Sequence, residues 1–309
     1  MKNVHVSLLA WFEKQGRHEL PWRKTNDVYH IFLSEVMLQQ TQANRVAEHY
    51  YPHFLQKYPT LQDLANATLD EVLSDWSGLG YYSRARNLHK ALQLCINSGL
   101  PTSMSELQKL PGVGRYTASA VCSFALNQSV AVVDTNISRV LKRYFALMDE
   151  KLVLHKAEEF LNTKEPTKHN LALMDLGSLV CTPKNLTCKL CPLSLTCKGK
   201  NEPEIFTLTK KTQYENLELY LGVCLVDKKL ALVKSSDKLY KDLYVLPPVE
   251  PIEEDFIASF KHSYTKYRIT VSLYKTQTTP QEARYFSYEE LLQAPISSMT
   301  KKALQLLDK

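Results

Sequence analysis

Apolar residues in the first two hundred positions recur every three to four residues, which is the spacing of helices with one buried face. Thr68 and Ser103 each open a segment of the S/T-x-x-E form, which is typical of a helix N-terminus. Gly78 and Gly80 predict the end of the helix that runs through Trp76. The pattern predicts a mainly α-helical domain over residues 1–200.

The pattern changes after Lys200. Residues 201–215 are polar, contain Pro203 and are predicted to form a linker. Apolar residues then occupy every second position from Leu217 to Leu225, which predicts a strand. Further strands are predicted at 230–233 and 267–275, with helices near Tyr288 and Thr300. Residues 216–309 are therefore predicted to form a small α+β domain.

Composition sets limits but names no chemistry. A chain of 309 residues, 44% of them hydrophobic, can bury the cores of two domains. No apolar run approaches the roughly 18 residues that span a bilayer, so we expect a soluble protein. Residues 1–200 hold 23 Lys and Arg against 17 Asp and Glu, whereas residues 201–309 hold 15 of each. The excess positive charge of the helical domain is compatible with an ordinary soluble surface.

Four closely spaced cysteines predict a metal site. They follow the spacing C-x6-C-x2-C-x5-C and are Cys181, Cys188, Cys191 and Cys197. One short pair flanked by two single cysteines favours a 4Fe-4S cluster over zinc, which is usually held by two separated short pairs. Structural cysteines or two disulfides are the alternative. Because residues 1–15 read as an amphipathic helix and not as a signal peptide, we expect a reducing cytosol.

A glycine turn and a carboxylate form a second candidate site. Gly112 and Gly114 lie between the helix that begins at Ser103 and a helix predicted over 115–126. Such a turn exposes amide N–H groups at a helix N-terminus and suits a phosphate, although most glycine turns between helices are only turns. Asp134 follows in an apolar segment, where a carboxylate is costly unless it is paired. We therefore expect Asp134 to be either a helix cap or a catalytic group.

The motif at 110–114, Asp134 and the cysteine loop resemble the helix-hairpin-helix DNA glycosylases of the endonuclease III superfamily. The segments 34–41 and 78–84 resemble the MutY-type adenine DNA glycosylases more specifically, and the resemblance runs from about Leu20 to Cys197. It implies a helical glycosylase domain with an iron-sulfur cluster loop, followed by a Nudix-like α+β domain. It also implies a monomer, cytoplasmic and associated with the nucleoid, that acts on double-stranded DNA carrying adenine opposite 8-oxoguanine or guanine.

The resemblance implies two catalytic carboxylates. Glu35 would protonate adenine at N7, and Asp134 would stabilise or transiently bond to the sugar, with Tyr116 and Asn136 beside them. The apolar neighbours of Glu35 predict a raised pKa, whereas the alternative is a solvated helix glutamate. Tyr116 stands where bifunctional relatives use a lysine amine, which predicts base removal without strand cleavage. Lys109 and Lys142 are nevertheless near in sequence.

The resemblance also implies residues that contact DNA or the extruded base. They are Leu20, Trp22, Arg23, Gln39, Gln40, Thr41, Tyr81, Gly112 and Gly114. Trp22 and the tyrosines could instead belong to the core. In the C-terminal domain Tyr264, Thr265 and Lys266 replace the family's Phe-Ser-His segment, which reads 8-oxoguanine. Thr135 replaces the glycine that usually follows the catalytic aspartate. The R-E-x-x-E-E array of Nudix hydrolases is absent from the sequence, so we expect a recognition module.

Two other functions remain open. A glycosylase and lyase specific for thymine or oxidised pyrimidines is disfavoured by Tyr116 and by the additional domain. A non-catalytic DNA-binding iron-sulfur protein is disfavoured because both carboxylates, Glu35 and Asp134, are present.

Overall fold

A computed structural model describes residues 2–206 and 213–307. The chain divides into two compact units, Met1–Ala65 with Lys90–Thr209 and Asn66–His89 with Lys210–Lys309. Residues 207–212 of the predicted linker lie outside the described residues. The domain boundaries at 200 and 216 stay a prediction.

Helices alone form the regular structure of the described residues up to 206, as predicted. In chain order they are α1 Lys2–Gln15, α2 Val28–Leu38, α3 Ala43–Arg45, α4 Tyr51–Lys57, α5 Leu61–Asn66, α6 Leu69–Asp75, α7 Ser83–Leu94, α8 Met104–Leu107, α9 Arg115–Phe124, α10 Thr135–Phe145, α11 Lys151–Phe160 and α12 Pro166–Leu179. Thr68 forms the predicted capping box of α6 with Glu71. Ser103 caps α8 through the Glu106 N–H, whereas the Glu106 carboxylate binds Lys109.

Helix α10 is central to the first unit. It packs against α12, which in turn packs against α1. Its apolar positions Ile137, Val140 and Leu141 form one buried stripe, as the helical period requires. The same core contains Leu8 and Phe12 of α1. This packing fixes the N-terminal end of α10, where Asp134 lies.

The second unit contains the strands. They are β1 Glu215–Val223, β2 Leu225–Val226, β3 Lys229–Lys234, β4 Tyr244–Val245, β5 Phe256–Tyr264, β6 Tyr267–Lys275 and β7 Arg284–Phe286. One sheet has the order β1-β6-β5, with β1 parallel to β6, and the other has β2, β4 and β7 paired with β3. Helices α13 Tyr288–Gln293 and α14 Ser298–Leu307 follow. The strand predicted at 217–225 is confirmed as far as Val223, where β1 ends, whereas Leu225 belongs to β2. The predicted strands at 230–233 and 267–275 and both predicted helices are confirmed, whereas β4, β5 and β7 were not predicted.

An early chain segment belongs to this strand-rich unit. Asp70 of α6 forms a 2.6 Å salt bridge with Lys234 of β3, although the two residues are 164 positions apart. Arg86 of α7 donates to the Lys241 carbonyl at 2.7 Å. Residues 66–89 therefore belong to a unit whose described strands all lie between residues 215 and 286.

A two-residue turn closes the hairpin between β5 and β6. Tyr264 pairs with Tyr267, and Thr265 and Lys266 form the turn. Thr265 has φ of 51°, a conformation that is unfavourable for a β-branched residue.

The described helices include none with the length and apolar character needed to cross a bilayer.

Candidate active site

A cavity of about 250 Å³ in the helical unit brings the predicted catalytic residues together. Glu35, Tyr116, Asp134 and Asn136 all line it. Four of the predicted base-contacting residues line the same cavity, namely Leu20, Trp22, Arg23 and Thr41. The cavity therefore joins segments that are about a hundred residues apart in sequence.

Glu35 is a buried acid and not a solvated helix residue. Its helix α2 is buried over most of its length, and Glu35 itself is only 3% exposed. The Tyr116 hydroxyl donates a 2.7 Å hydrogen bond to Glu35 Oε2. Burial raises the pKa of Glu35 to about 7, against the lowering effect of that hydrogen bond, and the charge of Asp134 raises it further. A large fraction of Glu35 is thus protonated at neutral pH.

Asp134 is a helix cap that also faces the cavity. Its Oδ1 accepts the Ile137 N–H at 2.7 Å, which satisfies a donor of the first turn of α10. Its Oδ2 accepts a 2.9 Å bond from the Asn136 side-chain amide. Burial raises the pKa of Asp134, and these hydrogen bonds oppose that rise because they favour the carboxylate. Of the two alternatives expected for Asp134, a helix cap or a catalytic group, the cap is confirmed, and the same carboxylate also lines the cavity.

Arg139 and Gly177 hold Asn136 in place. Arg139 donates to Asn136 Oδ1 at 2.9 Å and to the Gly177 carbonyl at 2.7 Å, so the Asn136 amide turns its N–H₂ toward Asp134. A Cβ at position 177 would lie 2.7 Å from Asn136 Cβ. Glycine is therefore required for the close approach of α12 to Asn136.

Sequence reasoning missed Asp175 and Arg17. Asp175 of α12 is fully buried and accepts two bonds from Arg23, at 2.6 and 2.8 Å, and two from Arg17, at 2.8 and 2.9 Å. Burial alone would raise the pKa of Asp175, but the two arginines lower it. Asp175 thereby fixes Arg23 in the cavity wall. The available signal was a single carboxylate in the apolar segment 171–180, the same signal that identified Asp134.

A wider cleft of about 670 Å³ shares Tyr116 and Asp134 with the cavity. Gln39 and Gln40 line this cleft and not the cavity. Gln40 is exposed and has φ of 58°, a left-handed conformation that is unusual for a side-chain-bearing residue.

The glycine turn before α9 is open to solvent. Gly112 has φ of 74°, which explains the glycine there. Gly114 caps α9 without a side-chain hydrogen bond, and a Cβ at this position would meet nothing within 4 Å. The turn therefore leaves space for a ligand backbone to approach the N-terminus of α9.

The other predicted DNA contacts lie in the strand-rich unit. Tyr81 is 38% exposed, with φ of 48°, and lies under the guanidinium of Arg84. Tyr264 packs against the Tyr240 ring at 4.9 Å. Burial raises the pKa of Tyr264, and the charges of Tyr82 and Tyr81 raise it further. Thr265 and Lys266 are exposed, and Lys266 forms a salt bridge with Glu215.

The four clustered cysteines line one small pocket. They are partly buried free thiols, and no disulfide joins them. Arg143 donates to Cys181 Sγ at 3.3 Å, and the N–H of Leu193 donates to Cys191. Burial raises the pKa of Cys191 to about 11. In the part of the chain that the structure describes, no three His, Cys, Asp or Glu side chains are arranged to hold one metal ion.

Comparisons with known proteins show that this chain is similar to DNA repair proteins. Residues 33–163 match the model of the HhH-GPD superfamily of base excision DNA repair proteins. The adenine DNA glycosylase of Buchnera aphidicola subsp. Baizongia pistaciae is 37% identical over 69% of this chain and 63% of its own length. That of Buchnera aphidicola subsp. Schizaphis graminum is 34% identical over 78% and 73%. Among solved structures, a thermostable thymine-DNA glycosylase matches with a TM-score of 0.60 and 30% identity, covering 65% of this chain and 96% of that protein.

Proposed function

We propose, on the ground that the chain belongs to the adenine DNA glycosylase family of base excision repair proteins, that it hydrolyses the N-glycosidic bond of adenine in duplex DNA. The substrate is adenine paired with 8-oxoguanine or guanine. The observation that carries the proposal is the pair of carboxylates, Glu35 and Asp134, in one cavity of about 250 Å³ that is lined by apolar and polar side chains.

The two carboxylates divide the reaction between them. Glu35, with its pKa near 7, donates a proton to adenine N7 and makes the base a better leaving group. Asp134, kept as a carboxylate by the Ile137 N–H and the Asn136 amide, stabilises the positive charge that develops on the sugar. Adenine must leave the duplex to reach them, and Gln39, Gln40 and Tyr81 are the residues assigned to that step.

The reaction stops at an abasic site. Tyr116 uses its hydroxyl to bond Glu35, and it has no amine that could form a Schiff base with the sugar. Purified protein should be tested on duplexes carrying adenine opposite 8-oxoguanine, adenine opposite guanine, thymine opposite guanine, or thymine glycol. We expect alkali-dependent breaks with the two adenine substrates alone. Release of thymine, or breaks without alkali, would contradict the assignment.

We propose that the four clustered cysteines hold a 4Fe-4S cluster. Cys181, Cys188, Cys191 and Cys197 supply four thiols around one pocket, and Arg143 and backbone N–H groups supply donors to sulfur. Such donors stabilise thiolate ligands. When bound, the cluster would cross-link the loop 181–197 internally, next to the core that contains α10, against which Cys181, Cys191 and Cys197 pack.

Replacing one of these cysteines should remove the cluster. Cys191→Ser is expected to lower iron content by half or more and to reduce the broad absorbance near 400 nm, because the ligand set loses one thiolate. Iron and sulfide analysis of anaerobically purified protein measures this. Cys122→Ser, at a buried cysteine outside the loop, is the control. Stoichiometric zinc without iron in both proteins would contradict the cluster.

The strand-rich unit is proposed to be Nudix-like and to read 8-oxoguanine. Thr265 is exposed at the tip of the β5–β6 hairpin, in an unfavourable left-handed conformation, and Tyr264 beside it packs against Tyr240. Strained residues are concentrated at functional sites. The Thr265 hydroxyl can donate or accept a hydrogen bond.

Thr265→Ala should reduce the preference for adenine opposite 8-oxoguanine over adenine opposite guanine by about threefold to tenfold, the effect of one hydrogen bond. The measurement is the ratio of single-turnover excision rates on the two duplexes. Thr265→Ser keeps the hydroxyl and should keep the ratio. An unchanged ratio in Thr265→Ala would show that Thr265 takes no part in recognising 8-oxoguanine.

A further inference from the structure

The wider cleft beside Asp134 contains a lysine that the proposed reaction does not use. Lys142 lies two turns beyond Asp134 along α10 and lines this cleft together with Ser138 and Arg139. Because residues four apart on a helix share a face, Asp134, Ser138 and Lys142 project along one line. At about 1.5 Å per residue, this line extends roughly 12 Å from Asp134 to Lys142.

Glu150 binds both Ser138 and Lys142, the two residues that follow Asp134 on this line. Its carboxylate forms a salt bridge with Lys142 and accepts a 2.9 Å hydrogen bond from Ser138. The Lys142 side chain is only 12% exposed, whereas that of Glu150 is 68% exposed. Glu150 therefore lies on the solvent side of Lys142, at the rim of the cleft.

Arg139, the second cation of the cleft, is largely bound to other groups of the protein. Arg139 donates to the carbonyls of Cys181 and Gly177 and to the side chain of Asn136, all within the protein. The Nε and Nη2 groups of Arg139 are used in these contacts, so a phosphate could reach only Nη1, which donates to the Thr135 carbonyl at 3.4 Å. Lys142 pairs with the exposed carboxylate of Glu150, and water competes for that carboxylate, so the pair is weaker than one between two buried groups.

We propose that Lys142 binds a backbone phosphate of the DNA strand whose sugar lies at Asp134, and that Glu150 competes with this phosphate for Lys142. The inference rests on the proposed function, because it places duplex DNA in the cleft. Glu150 then opposes binding of DNA that cannot insert a nucleotide deeply enough to displace it. This contact contributes to the salt dependence of DNA binding and takes no part in bond cleavage.

The phosphate contact and the competition have separate signatures. When Lys142 binds a phosphate, one counterion is released from DNA, whereas the single exposed carboxylate of Glu150 condenses no cation that could offset this release. Lys142→Ala should therefore flatten the slope of log K against log salt by about 0.9. Glu150→Gln should keep the slope and tighten binding by roughly twofold to fivefold, because a phosphate no longer has to displace the carboxylate.

The experiment measures fluorescence anisotropy of a duplex that contains a tetrahydrofuran abasic analogue, over a series of salt concentrations. This probe has no base to excise, so binding is measured independently of catalysis. Lys142→Ala with Glu150→Gln should bind no more tightly than Lys142→Ala and show the same flatter slope, whereas Lys142→Arg should keep the slope of the unmodified protein. The matched control is Glu159→Gln, whose carboxylate binds Lys156 outside the cleft and should leave both quantities unchanged.

The outcomes separate this inference from the proposed function. If Glu150→Gln binds no more tightly than the unmodified protein, or if its gain persists without Lys142, competition is wrong even though DNA is bound. A lowered melting temperature of Glu150→Gln with unchanged DNA affinity would show that the ion pair is only structural. Failure of the unmodified protein to bind any duplex would overturn the proposed function itself.

Discussion

Glu35→Gln is expected to lower the rate of adenine excision by about 10² to 10⁴-fold, the usual contribution of a general acid. Glutamine keeps the size and can accept the Tyr116 hydrogen bond, but it has no proton to donate at N7. In the unmodified protein the pKa of Glu35 is about 7, so its acid form is lost above neutral pH. The single-turnover rate should therefore fall as pH rises through about 7, and Glu35→Gln should lose this dependence.

The same substitution should stabilise the fold. Glu35 has a raised folded pKa, so the folded state binds a proton that the unfolded state has lost between pH 4.5 and about 7. The free energy of unfolding therefore decreases as pH rises through this window, and the cost persists above it. Removing the charge should add about 3 kcal/mol at pH 8. Urea unfolding at pH 8 checks this. A Glu35→Gln protein that is less stable than the unmodified protein would show that the buried Glu35 charge does not destabilise the fold.

Asp134→Asn is expected to reduce excision by about 10² to 10³-fold or more while leaving DNA binding intact, because the carboxylate acts on charge that develops in the transition state. Asparagine is as good an N-cap as aspartate, so α10 should keep its first turn. Excision rates and duplex affinity should be measured on the same preparations. Turnover above a tenth of the unmodified rate would exclude Asp134 from the chemistry.

Matched substitutions separate the two roles of Asp134. Asp134→Ser keeps a capping oxygen without the charge and should be stable but inactive. Asp134→Ala should lose activity and also about 1 kcal/mol of stability, because the Ile137 N–H loses its acceptor. Equal stability of the serine and alanine variants would show that capping at this position contributes little.

Much of the fold could be predicted because its patterns are local. Strand β6 at 267–275 alternates without interruption, and its predicted bounds are those found. Strand β5 was missed because its register shifts between Phe256 and Ala258, so apolar residues such as Ile257 and Phe260 do not keep one period of two. Short strands such as β4 and β7 are defined by their partners and have too few residues for a pattern of their own.

The candidate site was less visible in the sequence where it depends on distant pairs. Glu35 and Asp134 were found because each is a carboxylate among apolar neighbours and because the surrounding motifs resemble a known family. The pair of Arg23 and Asp175 spans 152 residues, so only the folded chain could reveal it. The same limit applies to Lys142 and Glu150, where neither residue is unusual in its own segment.

The sharing of residues 66–89 with the C-terminal strands has a consequence for synthesis on the ribosome. Asp70 emerges 164 residues before Lys234, which corresponds to about 8–33 s at 5–20 residues per second. During that interval Val72, Leu73 and Trp76, all buried in the finished protein, have not yet met the strands of their own unit. Nascent chains that stall between residues 100 and 230 should therefore recruit chaperones through this segment. Slow codons upstream of residue 230 would lengthen that exposure and favour aggregation over folding.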